Sequence, residues 1–182
     1  MRARARGFQV LEGGCVQVGS EGLPFGPFIE ALRGLTHQTQ AVELDDLLGA
    51  GRADLVRLMP QLLRGGEMEQ QTDDDPSRQS RLFEHFLLLL DRLAARSPLM
   101  LVVEDIHWAD RSTLALLGFV IRNLRWSPIV LLGTYRSDDL HRRHPLLPFL
   151  SEQERAGRAQ RIDLSRFGVP ELAAQLEGIL GT

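Results

Sequence analysis

The chemistry of this chain is concentrated in one run, Leu101-Val102-Val103-Glu104-Asp105-Ile106-His107-Trp108-Ala109-Asp110. Apolar residues from Leu99 to Val103 lead straight into two acids, and a helical pattern comes next. A short, continuous apolar run bounded by polar residues reads as a strand buried on both faces. Carboxylates at the carboxyl end of such a strand stand where open α/β sheets take their ligands. One acid there can hold a divalent cation while a second orients water, the pairing that phosphoryl transfer uses. A second group ends the next apolar run, Ile129-Val130-Leu131-Leu132-Gly133-Thr134. Arg136 just beyond it could reach a terminal phosphate, and Thr134 could add a hydroxyl. The plainer alternatives are two acids that close a strand and cap a turn, an arginine paired with Asp138 or Asp139, and an ordinary strand threonine.

These residues need a frame. Ser77 to Arg96 predicts a helix with Leu82, Phe83, Phe86, Leu89, Leu90 and Leu93 as its apolar stripe, ended by Ser97-Pro98. Asp110 or Ser112 can cap the next helix, whose body runs from Leu114 to Leu124. Upstream, Arg2 to Gly7 reads as the tail of a helix closed by a glycine cap. Phe8 to Leu11 and Cys15 to Val18 read as a broken strand around Glu12-Gly13-Gly14, with a bulge or a close backbone approach at the glycines. Phe28 to Leu35 has helical spacing. Leu44 to Leu63 predicts one or two short helices, interrupted near Gly49-Gly51 and Pro60. Downstream, Pro145 to Glu154 reads as a helix, Gln160 to Leu164 as a strand by its alternation, and Pro170 to Leu180 as an amphipathic helix. Strands separated by helices predict an α/β fold with a largely parallel sheet.

Composition narrows the function classes. The 182 residues are 43% hydrophobic and 25% charged, with a net charge of -3. That balance belongs to an ordinary globular domain and gives no bulk electrostatic reason to bind nucleic acid or a membrane. Cys15 is the single cysteine, which excludes an intramolecular disulfide and suits a reducing cytoplasm. The basic Met1–Arg6 stretch has no apolar segment behind it, so it is no secretory signal, and the apolar Phe86–Leu90 run is too short to span a bilayer. His141 and His144 lack a nearby Cys or suitably spaced acids, and Asp73-Asp74-Asp75 lacks the alternation and glycine of a Ca²⁺ loop, so both read as solvated segments. Ser112 and Ser165 have no nucleophile-elbow context. His107-Trp108 reads as a satisfied histidine beside a packing tryptophan.

The Leu101–Asp110 run resembles the Walker B segment of the STAND branch of AAA-type ATPases. More narrowly, it looks like the ATPase domain of large LuxR-type transcriptional regulators, in which hydrophobic residues, two acids and His-Trp-Ala-Asp succeed one another. Gly7 to Leu35, with its Glu21-Gly22-Leu23-Pro24-Phe25 turn, resembles that family's second strand and helix. Leu132-Gly133-Thr134-Tyr135-Arg136 resembles its sensor strand, and His144 to Leu150 the helix after it. Arg161 to Leu180 resembles the last core strand and the start of a helical lid.

The resemblance implies a P-loop NTPase-like three-layer parallel sheet whose strands lie in the order fifth, first, fourth, third, second. It implies ATP with Mg²⁺ as cofactor in the intact family. Glu104 would be the metal-associated acid and Asp105 the catalytic, water-orienting acid, with Arg136 and Thr134 at the phosphate. The family's phosphate loop, G-x-x-x-x-G-K-[ST], uses a Lys to reach the β/γ-phosphates. This chain contains no lysine, and neither Gly13-Gly14 nor Gly65-Gly66 has the Lys-Ser/Thr ending. The expectation is therefore an incomplete sheet, lacking the first strand and the phosphate loop. A partial ATPase core would cover 1–164 and the beginning of a lid 165–182. Alone it should be inactive as an ATPase and could be without a cofactor. Expected partners are ATP or ADP, a second copy or a regulatory protein, with no DNA binding by this segment and a cytoplasmic location. The alternative class is a non-catalytic interaction module or a truncated, degenerate gene product.

Overall fold

The computed structural model describes residues 2–18, 21–58, 76–124 and 127–180. The aspartates 73–75, the glycine pair at 65–66 and the interruption expected at Pro60 lie outside them. Three parallel strands form the central sheet: β1 (Gln9–Gly14), β4 (Leu99–Glu104) and β5 (Ile129–Gly133), in the order β1-β4-β5. A two-stranded antiparallel ribbon, β2 (Gln17–Val18) with β3 (Glu21–Gly22), comes after β1. The α/β class and the parallel sheet are as the sequence predicts, and the order corresponds to the second, third and fourth strands of the expected set.

The sheet is laid on one core. Leu11 on β1 and Leu99, Leu101 and Val103 on β4 are all buried, and period-two alternation puts them on the same face. Against that face pack α2 (Gly26–Gln38), α5 (Pro76–Ala94) and α6 (Arg111–Asn123). The predicted stripe of α5 supplies Phe83, Phe86, Leu89, Leu90 and Leu93 to the core. Phe86 meets Phe28 of α2 edge to face at 5.1 Å between ring centroids. Each such side chain contributes about 1.5–3 kcal/mol when fully buried. The opposite face is barer: Glu12 is exposed, and Val130 and Leu132 are 45% and 44% exposed.

The glycines of β1 do not break it. The strand runs through Gly13 and Gly14, and a Cβ at Gly13 would lie 1.9 Å from the Pro27 carbonyl oxygen. Close backbone approach is thus the reason for that glycine. Gly7 takes φ 82 after the short helix α1 (Arg2–Ala5), the left-handed cap that the sequence suggests. Between α2 and α5, the chain forms α3 (Ala41–Leu48), a 3-10 turn at Gly49–Gly51 and α4 (Arg52–Leu58).

One expected element is absent. Gln160 to Leu164 is not a strand; it is an exposed, irregular segment. Alternation alone does not make a strand, because the backbone also needs a neighbour's ladder. The expected order puts another strand between this segment and β5, and among the described residues β5 pairs only with β4. Arg161 instead bonds Asp163 and stands 5.8 Å over the Tyr135 ring. The last two helices, α7 (Leu146–Arg155) and α8 (Val169–Leu180), match the predicted spans, and α8 has no buried residue.

Candidate functional site at the carboxyl ends of β4 and β5

Parallel pairing aligns Val103 with Gly133, so β4 and β5 both bring their succeeding turns to one end of the sheet. Immediately after β4, Asp105 takes a left-handed conformation, φ 52 and ψ 43. Few non-glycine residues do so, although Asp tolerates it better than most. The turn is tied to β5 by three hydrogen bonds. The Thr134 N–H donates to the Val103 carbonyl at 3.0 Å, the Ile106 N–H to the Thr134 carbonyl at 2.8 Å, and the Asp105 N–H to Thr134 Oγ1 at 3.2 Å. Thr134 is therefore joined to Asp105 directly.

On the other side, the Cys15 N–H donates to the Glu104 carbonyl at 2.9 Å. Trp108 closes a 3-10 turn, and its carbonyl lies so near Gly22 that a Cβ there would come within 2.2 Å. The ribbon β2–β3 thus abuts the acid turn through a glycine. Asp110 then caps α6, its carboxylate accepting from the Ser112 and Thr113 N–H groups at 2.8 and 3.1 Å. The buried Thr113 hydroxyl accepts from the Phe25 N–H at 3.0 Å, fastening α6 to the turn that starts α2.

The two acids part company at their side chains. Glu104 is exposed and lines a cleft of about 350 Å³ with Arg4, Glu12, Gly14, Glu30 and Arg33. In that cleft the Gly14 N–H donates to Glu30 Oε2 at 2.8 Å. The Asp105 side chain, 48% exposed, has Oδ1 3.8 Å from Nδ1 of His107. No group of three or more His, Cys, Asp or Glu side chains among the described residues could by itself hold a metal ion. Glu104 is the open carboxylate of the pair and could contribute one bond to Mg²⁺, an ion that takes one or two carboxylates beside phosphate oxygens.

Arg136 is exposed, and its guanidinium makes no ion pair among the described residues. The two aspartates that could have claimed it are engaged elsewhere. Asp138 bonds Arg166 at 2.9 Å, and Asp139 Oδ2 stands 3.3 Å from Nε2 of His107.

The residue that sequence reasoning undervalued is His107. It is 4% exposed and packs against Trp108 with 5.0 Å between ring centroids. Its Nδ1 accepts a long hydrogen bond, 3.5 Å, from the Arg136 N–H. Its Nε2 is buried without a hydrogen bond of good geometry despite the nearby Asp139 carboxylate. A buried polar atom left so costs about 1–3 kcal/mol. The one signal in the sequence was its place between the two acids and the cap Asp110.

Two other titratable groups nearby are shifted by burial. Burial first, then Asp110 and Asp105, push the Cys15 thiol up to about 12, so it remains a thiol at neutral pH. Burial and then His141 pull His144 below the ordinary histidine range, outweighing its hydrogen bond to the His107 backbone.

A parallel sheet with an acidic turn at its carboxyl end defines the class, an α/β domain built like part of a P-loop NTPase. A family model of the AAA ATPase domain matches residues 1–132, and the chain belongs to that family. No curated protein and no solved structure matches it. Among the described residues, no helix is long and apolar enough to cross a membrane.

Proposed function

We propose that this chain is a partial nucleotide-binding unit of a STAND-type signalling or transcriptional regulator of the LuxR kind, with an ATPase core over 1–164 and the start of a helical lid over 165–182. Glu104 contributes to Mg²⁺, Asp105 orients water, and Thr134 and Arg136 face the terminal phosphate. The observation that carries this reading is the joining of the β4 and β5 ends, Asp105 to Thr134 by a hydrogen bond, with an Arg136 guanidinium that has no ion pair among the described residues on the same pair of turns. Mg²⁺ would supply charge neutralisation at the phosphates. The residues of this chain supply one metal-facing carboxylate, one water-facing carboxylate and one cation. A lysine is not among them. The chain alone therefore does not turn over ATP, since the phosphate cradle supplies both positioning and charge stabilisation. Its place is the cytoplasm, its ligand ATP or ADP, and its partners a second copy or a regulatory protein rather than DNA.

The test has two arms. Purified chain incubated with Mg²⁺ and ATP should hydrolyse no faster than background; clear turnover abolished by Asp105→Asn would overturn that part. Adding an N-terminal strand with a G-x-x-x-x-G-K-[ST] loop should raise the melting temperature and create Mg²⁺-dependent ATP binding. Such a strand would pair the second edge of β5, and each Å² of apolar surface it covers contributes about 25 cal/mol. Equal melting and no gain in affinity would instead favour a non-catalytic interaction module. One observation supports that second reading already: the apolar residues Leu172, Leu176, Ile179 and Leu180 of α8 are at least half exposed.

A further inference from the structure

We propose that His107 is a positioning residue that sets the Arg136 turn from the end of β4. Three observations meet at its ring. The imidazole is buried, so its orientation is fixed by packing against Trp108 rather than by solvent. Nδ1 receives the Arg136 N–H at 3.5 Å, and a ring nitrogen that accepts carries no proton. The proton of the neutral ring must then be on Nε2, which is buried, lacks a well-aligned partner and lies 3.3 Å from Asp139 Oδ2. The Asp139 side chain is 43% exposed, and a small turn of its carboxylate would complete the bond.

The result is a chain of polar contacts, Arg136 N–H to His107 to Asp139, that grips the 136–139 turn at both ends. His107 itself is three residues beyond Glu104 and two beyond Asp105. The acid turn, which carries the imidazole, thereby holds the arginine turn; Asp105 Oδ1, an acceptor 3.8 Å from the bare Nδ1, makes no bond to it. The consequence for phosphate sensing rests on the nucleotide-site reading; the tie itself does not.

The tie is tested without nucleotide. Nitrogen-15 spectra of the imidazole in the unsubstituted chain should show a protonated Nε2 and a bare Nδ1. The reverse tautomer would overturn the proposal outright. In His107→Phe, which keeps a ring in the core but no acceptor, the Arg136 amide should exchange with solvent about tenfold faster. The amides of Leu101 and Leu131 should be unchanged. His107→Asn, whose amide oxygen falls near the place of Nδ1, should return most of that protection. Asp139→Ala removes the acceptor at Nε2 but not the donor at Nδ1, so the Arg136 amide should stay nearly as protected as before. Unchanged Arg136 exchange in a folded His107→Phe variant would sink the positioning role. Should His107→Phe fail to fold, the tautomer and His107→Asn exchange still decide. If the tie is found but the extended chain binds no ATP, only the nucleotide reading fails.

Discussion

The two faces of the central sheet differ more than any other two regions of the molecule. Residues at alternate positions of the same strands meet opposite surroundings: Leu101 and Val103 are fully buried beneath α2, α5 and α6, while Val102 is only partly buried and Leu132, its partner in register, is 44% exposed. Among the described residues β4 is paired on both sides, and β1 and β5 on one each. The covered face has a closed core, tight glycine contacts and polar groups that find partners. The open face and edge hold apolar side chains with little above them. The covered face accordingly holds the fold, and the open face together with the β5 edge is where an added strand and its helix would act.

The sharpest way to break this comparison is to crowd the covered face. Gly13→Ala places a Cβ on the Pro27 carbonyl, and because the obstacle is backbone, α2 must move away from β1. The expected loss is about 3 kcal/mol or more, read as a large fall in the urea midpoint. A midpoint unchanged from that of the parent chain would mean that α2 does not sit as described. Truncation of matched positions is the next test. Leu101→Ala should cost about 3 kcal/mol by transfer and cavity terms. Leu132→Ala, from an open position on the adjacent strand, should cost less than about 1 kcal/mol. Comparable losses from both would show that something covers the second face in solution.

The same division separates the elements that were legible in the sequence from those that were not. The strand over Leu99–Glu104 and the helix over Pro76–Ala94 were legible because their patterns record burial against a complete core. Of the two caps offered for α6, Asp110 is the one used, since its carboxylate reaches two free N–H groups at the first turn. The Gln160–Leu164 strand was misread because alternation reports a possible face but not a partner to pair with. The ribbon β2–β3 has only two residues per strand, too short for any periodicity to show. As candidates, Glu104, Asp105, Thr134 and Arg136 could be named from residue types at strand ends. Their side-chain directions could not, and Glu104 opens toward β1 and α2 while Asp105 lies toward His107. The role of His107 was hidden because its contacts come from residues about thirty positions later in the chain.

The polar fastenings beside the covered face sharpen the comparison at smaller magnitude. Thr113 is fully buried, and its hydroxyl is the acceptor for the Phe25 N–H. Thr113→Val keeps the shape of the side chain but orphans that N–H, which should cost about 2 kcal/mol. Thr113→Ser should recover most of the loss. If Val and Ser variants melt alike, the hydroxyl contributes nothing and the turn before α2 is held by packing alone.

Of the two polar fastenings the smaller effect is expected at Asp110, where the core meets the acid turn. Its carboxylate accepts from two N–H groups that the helix itself cannot satisfy. Asp110→Ala should therefore lower stability by about 1 kcal/mol, whereas Asp110→Asn, also an effective cap, should lose far less. The negative charge contributes a further favourable interaction with the α6 N-terminus, and that share should shrink as salt is added. Urea titrations of the three proteins at low and high salt separate these contributions. A deficit in Asp110→Asn that salt removes would be the charge; a deficit in Asp110→Ala that salt leaves in place would be the cap. An Ala variant as stable as the parent would mean that the acid run contributes nothing to α6, and that the Leu101–Asp110 segment is held through β4 alone.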